Sequence, residues 1–140
     1  MQVLLTMECL NDFIYKGPKL QRNVFDILCR FRRLPIAFAC DVSEMYLQIE
    51  LKPTDRKFTR FLWRNMEDRQ PDIYELNRLT FGINSCPFQA QFVTQINAII
   101  NQSELQIAAD AVLQSTYMDD TLDSVENEKM AKCRQFRSFV

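Results

Sequence analysis

From Pro18 to about Arg33 apolar residues recur at every third or fourth position (Leu20, Val24, Ile27, Leu28 and Phe31), a period that predicts a helix. Gly17-Pro18 reads as a stop followed by a helix start, since proline is tolerated in a first helical turn. Arg30, Arg32 and Arg33 place positive charge in the last turn, where it suits the helix dipole. The run Leu34 to Asp41, LPIAFACD, is short and apolar and predicts a buried strand ending at Asp41. Turn residues follow at Lys52 to Arg56. Lys57 to Arg64 then alternates bases and polar residues with Phe58, Phe61 and Trp63, and Asp72 to Phe81 returns, so an antiparallel pair is expected.

Asn84-Ser85-Cys86-Pro87 combines capping residues with a first-turn proline. Phe88, Phe92, Val93, Ile96, Ile99 and Ile100 continue it as one face of a helix, which the polar stretch Asn101 to Gln106 should end. Ala111 to Met118 reads as a strand, Asp119-Asp120 as a tight turn, and Thr121 to Ser124 as the return strand. Asp123 or Ser124 would cap a last helix from Val125 to Val140. The order of elements predicts an α+β fold with an antiparallel sheet. With no repeat, linker or low-complexity tract, residues 1–140 read as a single domain.

Composition narrows the chemistry. The chain has no histidine, which removes Ser-His-Asp, Cys-His and HExxH chemistry. Its two glycines, Gly17 and Gly82, are too few for a glycine-rich phosphate loop. Phosphate chemistry here would have to use carboxylates and metal ions. Five scattered cysteines without a CxxC pair point to reduced thiols in an intracellular protein, cytoplasmic or nuclear. No apolar run is long enough to cross a bilayer, so no membrane partner is expected. The net charge of −1 hides an asymmetry: thirteen of seventeen bases lie between Lys16 and Arg78, and none between Leu79 and Glu128. A basic surface beside an acidic pocket suits a polyanion held near cations.

Asp41 and Asp119-Asp120 both end apolar strands that a small antiparallel sheet can bring side by side. Alone, each reads as turn chemistry or a cap. Converging, they would repel one another unless divalent cations were bound. Two magnesium ions held by such carboxylates support phosphoryl transfer without histidine or a covalent nucleophile.

These residues resemble the palm of a reverse transcriptase. Tyr117-Met118-Asp119-Asp120 is similar to that family's YMDD tetrapeptide, CDVSEMYLQIEL (Cys40 to Leu51) to its first catalytic segment, and LTFGINSCPF (Leu79 to Phe88) to the segment between them. GPKL, RFRRLPIAFACDVSEMYLQI and RFLWR are most similar to the BEL/Pao long-terminal-repeat retrotransposons. The resemblance implies a palm-like antiparallel sheet with helices on one face and part of the fingers. It implies RNA-directed DNA polymerase activity: two Mg²⁺ or Mn²⁺ ions on Asp41, Asp119 and Asp120 would transfer a dNMP from a dNTP to a primer 3′-hydroxyl on an RNA or DNA template.

By the same resemblance Tyr46 would crowd the 2′-position of the incoming sugar, and Phe81 and Gly82 would line the nucleotide pocket. Tyr117 and Met118 would support the hairpin near the primer end. Arg56, Lys57, Arg60 and Arg64 would touch template phosphate. The family's basic fingers segment, thumb and RNase H are not recognised between Met1 and Val140, so the other parts of a retroelement polyprotein are expected partners. Alone, this truncated domain is expected to be weakly active or inactive. A non-catalytic or domesticated fragment that binds nucleic acid or a partner protein is the alternative reading.

Overall fold

The computed structural model describes residues 9–134. Five α-helices are present among them, α1 (Leu10–Phe13), α2 (Val24–Phe31), α3 (Cys86–Ile100), α4 (Gln106–Ser115) and α5 (Glu128–Arg134), with one 3-10 turn at Arg56–Thr59. The strands are β1 (Ile36–Asp41), β2 (Arg60–Trp63), β3 (Asp72–Glu75), β4 (Thr116–Tyr117) and β5 (Asp120–Val125). One antiparallel sheet runs β1-β5-β4 and a separate antiparallel ribbon pairs β2 with β3, so the class is α+β.

The expected elements at α3, β1 and the β2–β3 pair form, with tighter bounds. The helix expected from Pro18 starts instead at Val24, where the Asn23 side chain accepts from the Phe25 amide. Residues 18–23 are given to tertiary contacts: Gln95 donates to the Leu20 carbonyl and Arg22 to that of Leu113. The strand expected over Ala111 to Met118 is helix α4 as far as Ser115. Its Ala108, Ala111, Val112 and Ser115 are buried at helical spacing, and alanine favours helix where a short strand reading ignores it. The strand expected to run through Phe81 pairs only to Glu75, after which one further bridge joins Arg78 to Glu50.

Asp123 is not a cap. It is buried within β5 opposite Phe38, and its carboxylate accepts from the Ser124 amide. The last helix starts later, where Asn127 accepts from the Met130 amide. The expected helical residues 135–140 lie outside the described residues.

Strand β5 is central and buries Asp123, Ser124 and Val125 in succession, which a strand covered on one face alone would not do. Helices α2 and α4 both pack on it. Ser124 ties α2 to the sheet, donating to the Arg30 carbonyl and accepting from the Leu34 amide. A second core gathers Met45, Leu79, Cys86 and Ala90 beneath the loop after β1, with Tyr46 and Ile83 against it. Helix α3 leaves most of its large apolar face exposed. Its small residues Ala90 and Ala98 are buried, whereas Phe92, Val93, Ile96, Ile99 and Ile100 are exposed.

Candidate functional site

Asp41 is the last residue of β1 and Asp120 the first of β5, and the two are register partners. Partners directly opposite in an antiparallel pair carry their side chains on the same face, about 5 Å apart at Cβ. Both carboxylates are exposed. The next residues close this end of the sheet, because the Val42 amide donates to the Asp119 carbonyl at 2.9 Å. Tyr117 pairs with Asp120 across the loop Met118-Asp119, in which Met118 has φ 58°. A positive φ at the first loop residue is what primed hairpin turns require, and for a side chain such as methionine it carries strain. The turn is braced from outside: the amides of Gln21 and Gln91 contact the Met118 sulfur, and the Thr116 and Thr121 hydroxyls bond at 2.7 Å.

Tyr46 and Phe81 meet with ring centroids 4.7 Å apart at 52°. Burial, then the nearby Cys86 thiol, then the charge of Asp119 push the Tyr46 phenol above its ordinary value. Burial likewise raises the Cys86 thiol, which stays protonated in the core below Tyr46. Gly82 has φ +93° with open space where a Cβ would lie. Its carbonyl accepts from Asn11, which also accepts from the Asn84 amide and so ties the start of the described chain to the start of α3.

The structure therefore joins Asp41 and Asp120, with Asp119 in the adjoining loop, and separately Tyr46 and Phe81, while the basic residues are dispersed. Arg56 pairs with Glu50 at 2.7 Å and Arg60 with Glu75, so both cations are already engaged. Lys57 sits over the Phe58 ring at 5.0 Å, and Lys57 and Arg64 make no ion pair among the described residues. A groove of about 650 Å³ reaches Asp41 but none of Tyr46, Phe81 and Gly82. It runs behind the carboxylates along Cys40 and Thr121, which strand alternation turns away from Asp41 and Asp120, and along the apolar side of α3.

Among the described residues no group of three His, Cys, Asp or Glu side chains is set to enclose a metal ion. The donors present are a facing pair and a neighbour, all hard oxygens. That set fits Mg²⁺, which takes one or two carboxylates and keeps its other positions for water or phosphate.

Sequence reasoning missed Asn11, Gln21, Gln91 and Tyr74. None left a local signal: Gln91 is one of three glutamines in α3, with Gln89 and Gln95. The phenol offers a direct check on the geometry. Asp119→Asn removes one of the charges acting on Tyr46, so its titration, followed by absorbance with Tyr46→Phe as the blank, should move down while staying raised by burial. An unmoved midpoint would place Asp119 away from the ring. Because the folded state holds this phenol protonated, the linked stability is present below about pH 10 and fades as the pH rises past the raised value. No family model, curated protein or solved structure matches the chain.

Proposed function

We propose that this chain carries the carboxylate core of a template-directed nucleotidyltransferase of the reverse-transcriptase palm type. The observation that carries the reading is the register of β1 and β5, which sets Asp41 against Asp120 with Asp119 in the adjoining turn, its charge acting on Tyr46. Asp41 and Asp120, with Asp119 next to them, would hold divalent cations, which when bound neutralise phosphate charge and favour ionisation of the attacking hydroxyl. Tyr46, backed by the Met45–Cys86 core, offers a fixed ring edge for a sugar, and Phe81 with the open Gly82 gives that space a second wall. The strained Met118 turn places Asp119 and Asp120 at its end, and a constellation held this way acts by positioning.

A specific observation favours a second role, binding without turnover: the exposed apolar residues of α3 form an uncharged surface larger than isolated apolar side chains would make. Primer extension with Mg²⁺ or Mn²⁺ on RNA and DNA templates separates the two. Extension that disappears in Asp119→Asn supports the transferase, and extension no greater than in that variant rejects it for the chain alone.

A further inference from the structure

The β2–β3 ribbon carries an aromatic face that the carboxylate site does not use. Phe61 lies opposite Tyr74 and Trp63 opposite Asp72. Alternation therefore sets Phe61, Trp63 and Tyr74 on one face, while the aliphatic Leu62 and Ile73 lie on the other. The Phe61 and Tyr74 rings stack at 5.6 Å and 23°. Phe61, Tyr74 and Trp63 are 43%, 44% and 54% exposed, and every residue of both strands is exposed. Rings held nearly parallel and open to water are what an unpaired base stacks on, with little regard to its identity.

The ribbon's charge bears on the kind of ligand. Glu75 is paired with Arg60, and Glu67 and Asp72 with Arg69. Two cations, Lys57 before β2 and Arg64 after it, make no ion pair among the described residues, and neither do two acids, Asp55 ahead of Lys57 and Asp68 in the connecting loop. Stacking therefore supplies most of the attraction and two phosphates at most are neutralised. A duplex, whose bases are already stacked, gains nothing from such a face.

We propose that this aromatic face binds single-stranded nucleic acid, by stacking of bases on Phe61, Tyr74 and Trp63 with Lys57 and Arg64 on the phosphates. From Glu75 the chain runs through the Arg78–Glu50 bridge to Phe81 beside Tyr46, a reach of roughly 20 Å if fully extended. Only this link to the carboxylates rests on the transferase reading; the stacking stands apart from it.

Trp63 is the only tryptophan, so its emission reports on this face. Binding is measured with the full chain carrying Asp119→Asn and with chelator present, so that it is read independently of turnover. A short oligothymidylate is expected to quench Trp63 saturably, and the plot of log affinity against log salt should have a slope of about −1.4, for two phosphates on a single strand. Tyr74→Ala or Phe61→Ala should weaken binding about ten-fold, whereas Tyr74→Phe should bind as the parent does. Circular dichroism confirms that each variant keeps its fold. Absence of quenching, equal quenching by a duplex, or Ala variants that bind as tightly as the parent would overturn the proposal. An emission maximum that shifts to the blue with protein concentration and ignores the oligonucleotide would also overturn it, and would assign the face to a second copy of the chain.

Discussion

Asp120→Asn is expected to abolish whatever weak metal-dependent primer extension the chain alone supports, while raising the temperature of unfolding. The two effects share one cause. Asp120 and Asp41 are like charges directly opposite on adjacent strands, an arrangement that costs stability. Removing one charge should return about 0.5 kcal/mol, a shift of about 2 °C for a chain of this size. Activity falls because the charge that neutralises transferring phosphate depends on cations that the pair would hold. Asp41→Asn should behave the same way, whereas Asp123→Asn should not, since Asp123 is buried and bonded within β5. Magnesium gives a readout that needs no turnover. It should raise the unfolding midpoint of the parent and leave that of Asp120→Asn unmoved, because an ion bound by the folded state alone stabilises it. An Asp120→Asn chain less stable than its parent would show that the carboxylates are satisfied without a cation, and the proposed site would fall.

Gly17→Ala is expected to be the costliest single-methyl change in the molecule, at about 3 kcal/mol. Two penalties add at this position. Gly17 has φ +79°, where a Cβ is strained, and that Cβ would overlap the ring of Phe88 in α3. Gly82→Ala separates the two terms, since Gly82 has φ +93° but nothing within reach of a Cβ. It should cost about 1 kcal/mol. Urea unfolding of both variants measures the difference, and Phe88→Ala should cost less in the Gly17→Ala background than in the parent. Equal losses at Gly17 and Gly82 would mean that the close approach to Phe88 does not matter. A loss of 3 kcal/mol is a large share of the 5–15 kcal/mol that usually holds a domain together.

The glycine pair illustrates what was readable in advance. Gly17-Pro18 marks a break, and a break is present, but the helix begins only at Val24. The segment between crosses α3 and reaches the Met118 turn through Gln21, a contact between residues far apart in the chain. Helix α4 was written plainly in Ala108, Ala111, Val112 and Ser115, yet the β-prone Val112, Thr116 and Tyr117 drew the strand reading backward over it. In α3 the apolar period forms a helix, but most of that face is exposed, because a pattern of large apolar residues says that a face exists and not which neighbour meets it. Small alanines won the inward side, where helices and strands approach most closely.

By itself, then, the sequence determined the chemistry within reach, namely carboxylates without histidine or a glycine-rich loop, and the local elements whose signals span a few residues: the start of α3, the ribbon and a hairpin, whose turn, expected at Asp119-Asp120, closes one residue earlier at Met118-Asp119 because Asp120 pairs with Tyr117 and Asp41. Tertiary structure alone decided that Asp41 faces Asp120, that the charge of Asp119 acts on Tyr46, that Asp123 is buried, and that Arg56 and Arg60 are engaged with Glu50 and Glu75. The reason is physical. Caps, turns and periodicity act between near neighbours along the chain, whereas strand register and close packing depend on residues that only folding brings together, and slipping β5 by one residue would carry Asp120 to the opposite face of the sheet.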